Sequence, residues 1–285
     1  MQHTGERNLV LGTVRGYGFA QLQPFVDSLR GSGFGGTLVL FAAGLDAPTQ
    51  QQLRARGVVL IDYDEREFPR QQIEIVCYRF LLYQAFLRVH GAEFDNVLLC
   101  DVRDVAFQRD PFDFPRPEGL CCFLEDRRMT IGSCAFNSRW TRDLFGPEVA
   151  TRLAPQAISC AGTTLGSTAA VRDYVDQQVE YFLSLPVALL GTDQAHHNFM
   201  IYSGMLPQLT LFPNESGPVM TLGYRPPELL VFDTAGRLRN DVGQIVSTIH
   251  QYDRHPGRFP RFELPTGAGL LQDTGSAAVE QLERV

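Results

Sequence analysis

The first hundred residues alternate between short apolar runs and segments of helical spacing, and few folds accommodate that order. Asn8–Arg15 (NLVLGTVR) is a β-branched run closed by Gly16 and Gly18, as a strand running into a turn would be. Residues 19–30 carry apolar side chains at 19, 22, 25, 26 and 29, the spacing of one helical face. Residues 37–42 read as a second strand, and 48–56 as a polar helix with Pro48 in its first turn. A third strand at 58–61 and a long amphipathic helix at 71–90 follow. Asn96–Cys100 (NVLLC) is apolar throughout, the pattern of a strand buried on both faces. Repeats of this kind imply right-handed crossovers and an α/β fold around an open, mostly parallel sheet. Such sheets bind ligands beyond the carboxyl ends of their strands. The positions to watch are therefore 13–18, 62–65 and 101–104.

The second half is less regular. Leu120–Leu124 and residues 134–137 read as strands, 163–184 as mostly helix, and 193–202 as another helix. Short strands are expected at 219–222, 229–232 and 245–250. One domain over 1–265 accounts for these elements, and the polar, Gly-rich segment 266–285 reads as a loose tail.

Composition removes several function classes. The net charge is −7, which argues against nucleic acid as a partner, because phosphate backbones select a basic face. All 25 basic residues are arginine, so Schiff-base and P-loop chemistry are excluded. The six cysteines form no C-x-x-C pair and several lie in apolar runs, as small reduced core residues do. The polar N-terminus reads as lacking a signal peptide, and no apolar stretch reaches 18 residues. A cytoplasmic location is expected, with peripheral membrane contact open.

The strongest chemical signal is the segment L-L-C-D-V-R-D-V-A-F-Q-R-D-P-F over residues 98–112. A buried strand delivers Asp101 and Asp104 together, and paired carboxylates are ligands for a hard divalent cation such as Mn²⁺ or Mg²⁺. Residues three apart on a strand face opposite sides, so the chain must bend for the two to converge. Arg103 between them can orient the carboxylates or meet a phosphate. This segment resembles the metal-binding DxD region of GT-A glycosyltransferases, in a variant spelled D-x-R-D.

Three further segments follow in the order that such enzymes show. The stretch I-S-C-A-G-T-T-L-G-S over 158–167, with Gly162 and Thr163, resembles the loop beside the donor sugar that leads into a helix. Asp193 and Gln194, in G-T-D-Q-A-H-H-N, resemble the D-Q helix of glycogenin-like retaining transferases; the resemblance implies that both face the donor sugar. Adjacent helical residues diverge by about 100°, so His196 and His197 do not form a metal pair. His250, after the apolar run 245–249, resembles the histidine that completes the metal site, with His255 as the alternative. Thr13 and Arg15 fall where these enzymes hold the nucleotide, and Arg79 can reach the donor phosphate or sugar.

The resemblance implies a GT-A-like fold with a nucleotide-binding half (about 1–112) and an acceptor-binding half (113–265). It implies transfer from a nucleoside-diphosphate sugar, a UDP-sugar by default, to a glycan, lipid-linked or small-molecule acceptor. Asp101, Asp104 and His250 would hold Mn²⁺ or Mg²⁺, and the D-Q helix favours retention. Two other readings stand beside it. One is a sugar nucleotidyltransferase, of whose Gly-rich signature G-T-V-R-G at 12–16 is a faint echo. The other is a binding module with a lapsed metal site.

Overall fold

The computed structural model describes residues 5–64, 72–260 and 262. Glu65, Gln71 and the expected tail 266–285 lie outside these residues. In chain order the first half runs β1 (Asn8–Arg15), α1 (Phe19–Gly31), β2 (Thr37–Ala43), α2 (Ala47–Ala55), β3 (Val58–Asp62), β4 (Gln72–Ile73), α3 (Ile75–His90), β5 (Asn96–Cys100) and β6 (Val105–Phe107). The second half runs β7 (Leu120–Leu124), α4 (Ala135–Leu153), β8 (Ser159–Ser167), α5 (Thr168–Ser184), β9 (Val187–Ala188), α6 (Thr192–Tyr202), β10 (Leu209–Phe212), β11 (Val219–Thr221), β12 (Val231–Phe232), β13 (Leu238–Arg239) and β14 (Thr248–His250).

Seven strands form the central sheet in the order β10-β7-β8-β5-β1-β2-β3. All ladders are parallel except the two that β8 makes with β5 and β7. The sheet separates two apolar layers. One packs α3 and α5 on Leu9, Leu11, Leu99 and Cys122; the other packs α1 on Val10, Leu40, Leu98 and Cys121. Alternation along β1 and β5 therefore feeds both layers, which is why these strands read as continuous apolar runs. A smaller sheet, β11-β14-β6, stands beside the central one and closes over Met220, Leu238 and Ile249.

Three expectations need correction. Residues 134–137 are not a strand: Cys134 caps α4, its thiol accepting from Asn137 N–H at 3.4 Å, and the helix continues to a break at Gly146 (φ 83°) and Pro147. Residues 159–167 are neither a loop nor the start of a helix but β8, buried at all but its last position. Small residues and glycines there mimic a loop, yet they are what fits between two neighbouring strands on a sheet covered on both faces. Ser167, at the end of β8, instead starts the helix: its hydroxyl accepts from Ala170 N–H at 3.3 Å, so α5 begins at Thr168. The late strand is confined to Thr248–His250, with an isolated bridge from Ile245 to Arg239.

Candidate functional site

The sheet order switches direction between β1 and β5: β2 and β3 extend one side of β1, and β5 lies on the other. That is where a crevice opens in sheets of this kind. Thr13 and Arg15 end β1 at this crevice, and Thr13 Oγ1 donates to the Tyr83 hydroxyl at 3.2 Å. Asp101 follows the last residue of β5, and its N–H donates to Gly162 O at 2.8 Å, one step beyond the strand. The chain then bends at 102–104, pinned by the buried Val102, and joins the small sheet at Val105. Val105 pairs with His250 across β6 and β14. Leaving one sheet for the other thus carries Asp104 to the corner where Asp101 and His250 meet. One ligand atom from each of the three lies within 4.8 Å of the others.

His250 is fully buried. Its Nδ1 lies 3.4 Å from Thr221 Oγ1. Its Nε2 points at Asp101 Oδ2 (3.6 Å) and Asp104 Oδ1 (3.9 Å) and has no hydrogen-bond partner among the described residues. A buried, unpartnered imidazole nitrogen facing two carboxylates fits a cation between them. Gly162 keeps that space open: a Cβ there would stand 2.5 Å from Asp101 Oδ2 and 2.6 Å from His250 Cε1. His255 is placed differently, its Nε2 bonded to Leu222 O at 3.1 Å, so His250 is the histidine of the cluster.

Arg79, on α3, supplies the positive charge. Its guanidinium forks between Asp101 Oδ1 and Asp193 Oδ2, the latter at 3.0 Å. Burial would lower the Arg79 pKa, but the two carboxylates outweigh it and hold the group firmly protonated. The acids divide accordingly. Burial would raise Asp101, yet Arg79 and His250 hold it below the ordinary carboxylate range. Asp104 and Asp193 are raised, in both cases chiefly by burial. Burial opposes protonation of His250, but the carboxylates of Asp101 and Asp104 facing its Nε2 raise it above the usual imidazole value.

The first turn of α6 faces the start of β8. Gln194 spends its amide there: Oε1 accepts from Ala161 N–H at 2.9 Å, and Nε2 donates to Ser159 O at 2.8 Å and Asn137 Oδ1 at 3.4 Å. Asn198, one turn later, brackets Ser159, accepting from its N–H at 2.9 Å and donating to its carbonyl at 3.0 Å. The two amides satisfy strand backbone where the β7–β8 ladder shifts register. Behind them His196 and His197 bond Gln178 and Tyr174, and burial lowers their pKa values to about 4 and about 3. They are neutral packing groups. Gly191, at the cap of α6, lets the Trp140 ring lie where a Cβ would be.

Two solved structures can now be set beside this geometry. A complex of the galactosyltransferase LgtC with donor and acceptor sugar analogues shares 15% identity over 85% of this chain and 86% of that one, with a TM-score of 0.46. An active-site mutant of LgtC shares 14% identity over 90% of this chain and 94% of that one, with a TM-score of 0.51. The chain has the GT-A fold. No family model matches the sequence, and no curated protein matches it either. Among the described residues, no helix is long and apolar enough to cross a membrane.

At the crevice of this GT-A sheet stand residues that sequence reasoning missed. Glu125 follows β7, is 6% exposed, and has one carboxylate oxygen without a partner. Burial raises its pKa to about 7, against the opposing pull of His250. Cys160 is an electrostatic neighbour of both Glu125 and His250. Glu125 and Asp126 directly follow an apolar strand, the same signal that singled out Asp101. Thr163, which the sequence singles out with Gly162, lies opposite Cys100 in the sheet and keeps a buried hydroxyl without a partner among the described residues.

Proposed function

We propose that the protein is a metal-dependent glycosyltransferase that moves a sugar from a nucleoside-diphosphate sugar, a UDP-sugar by default, to an acceptor with retention of configuration. The observation that carries this reading is the convergence of Asp101, Asp104 and His250 at the end of β5, with His250 Nε2 buried and unpartnered. Two carboxylates and an imidazole suit Mn²⁺, with Mg²⁺ as the harder alternative. Bound there, the ion would offset the charge that grows on the departing diphosphate.

The chain's own residues do the rest. Arg79 holds Asp101 and Asp193 in register and is the arginine proposed to meet the donor phosphate or sugar. Thr13 and Arg15 line the nucleotide side of the crevice, one strand over from Asp101. Gly162, next to Thr163, leaves space beside Asp101 and His250 that a ligand can approach closely. Asp193 faces the donor sugar from the first turn of α6, and Gln194 fixes β8 behind it. Glu125 offers its free oxygen to an acceptor hydroxyl. The likeness in fold to LgtC, a galactosyltransferase, supports the donor class.

A second reading is a nucleotide-sugar-binding module without turnover. It is favoured by Arg79, which already occupies one oxygen of Asp101, and by Gln194, whose amide is spent on the backbone. Release of the nucleoside diphosphate from a panel of nucleotide sugars with Mn²⁺ separates the two. Release that is abolished by EDTA supports the transferase. Nucleotide binding with no release from any donor, in the presence of varied acceptors, supports the module.

A further inference from the structure

We propose that Asp253 is a positioning residue of the candidate metal centre and that it acts through Arg103, clasping the loop that bears Asp104 to the segment that bears His250. The inference rests on the metal-centre reading above.

The two segments are 150 positions apart at the clasp and are joined by three separate links, with a fourth contact inside the loop itself. Arg103 Nη1 donates to Asp253 Oδ2 at 2.8 Å, and Arg103 Nη2 lies 3.6 Å from Asp104 Oδ2. Gln251 N–H donates to Asp104 O at 2.8 Å. The Tyr252 hydroxyl donates to Arg103 O at 3.3 Å. One arginine thus holds a candidate metal ligand with one arm and Asp253 with the other, and the backbones on either side are stitched together.

The local conformation explains how Asp253 gets there. Gln251, directly after His250, has φ 58° and ψ 39°, a left-handed conformation that side chains other than glycine rarely adopt. It reverses the chain, so that the 3-10 turn Tyr252–Arg254 folds back over the loop 102–104. A conformation of this sort persists when its surroundings over-determine it. The three links are those surroundings.

The clasp also gives the D-x-R-D spelling a role. The third position holds an arginine that turns to Asp253, and the second acid is supplied one residue later by Asp104. Groups that orient metal ligands, without touching the ion, typically change affinity by about 10–100-fold when removed.

The test uses the full chain with Asp253→Asn, Arg103→Met and the double variant, each read in two ways. Titration with Mn²⁺ alone, followed by electron paramagnetic resonance of the free ion, gives the affinity. Hydrogen exchange of the Gln251 amide reports the clasp without metal. The proposal expects both single variants to lose about ten-fold in Mn²⁺ affinity and to exchange Gln251 about ten-fold faster, with the double variant no worse than the worse single. Unchanged exchange, or faster exchange with unchanged Mn²⁺ affinity, overturns it. If the unsubstituted protein binds no Mn²⁺, the metal-centre reading falls, and the clasp stands or falls on the exchange result alone.

Discussion

Two limbs of the crevice are built from similar polar residues and resolved in opposite ways. Around the start of β8, Gln194, Asn198, His196 and His197 each find partners inside the protein. Around the end of β5, His250 Nε2 and one oxygen of Glu125 are buried and have no hydrogen-bond partner among the described residues; the same holds for the hydroxyls of Thr163 and Thr164, which alternate to opposite faces of β8. Burying a polar atom without a partner costs free energy, so a fold tolerates a cluster of them only where something else binds. The first limb is scaffold and the second is site, although by residue type alone a pair of adjacent histidines looks more like a metal centre than one histidine does.

The contrast breaks most sharply if ligands are removed from the second limb. Asp101→Ala and His250→Ala should each abolish Mn²⁺-dependent binding of a nucleoside diphosphate, measured by titration calorimetry, while the circular dichroism spectrum stays unchanged. Retained binding with the same metal dependence in both variants would place the diphosphate elsewhere.

The next effect is one of pH. Burial raises Glu125 from its ordinary value to about 7, so the folded state binds that proton more tightly than the unfolded chain. Its stabilising contribution is complete below the unfolded pKa and is lost as pH rises through about 7. Glu125→Gln cannot ionise. It should gain on the parent protein between about pH 4.5 and pH 7, by up to roughly 3 kcal/mol, and hold that gain above pH 7. Denaturant unfolding of the two metal-free proteins across this range reads the difference; parallel pH profiles would show that the carboxyl is well solvated.

The scaffold limb predicts a smaller loss with a different signature. Gln194→Ala leaves Ala161 N–H without its side-chain partner and removes one of the two side-chain donors to Ser159 O, at a cost of about 1–3 kcal/mol, and metal affinity should change less than stability. Asp27→Asn, which breaks a half-exposed pair with Arg56, is the control and should cost about 0–1 kcal/mol. A Gln194 variant as stable as the Asp27 variant would remove the distinction between the limbs.

Legibility in the sequence followed physical pattern. The strands β1, β2, β3 and β5 and the helices between them were readable because apolar period and breaker residues agree there. β8 was not, since a strand covered on both faces by close neighbours needs small residues, and S-C-A-G-T-T-L-G-S carries no period. The helix α4 was missed altogether, its cap being a cysteine, an uncommon choice, and its middle broken at Gly146 and Pro147, and β6 and β10 are too short to show a pattern. In the site, Asp101 and Asp104 were visible from strand-then-carboxylate order, and His250 through resemblance to a family motif. Glu125 carried the same strand-then-carboxylate signal and was passed over. Asp253 carried none, because its role depends on a left-handed turn at Gln251 that no local residue preference announces.

The most direct test of the central claim, that the unsatisfied limb holds a metal and a diphosphate, is a thermal-shift series with UDP, GDP, CDP and dTDP, each with and without Mn²⁺. A ligand at 100 times its dissociation constant that binds only the folded state adds about 2.7 kcal/mol, enough to move the midpoint visibly. The account predicts a rise for one nucleotide, UDP first, that appears only with Mn²⁺. Equal rises with and without Mn²⁺, or none with any nucleotide, would contradict it.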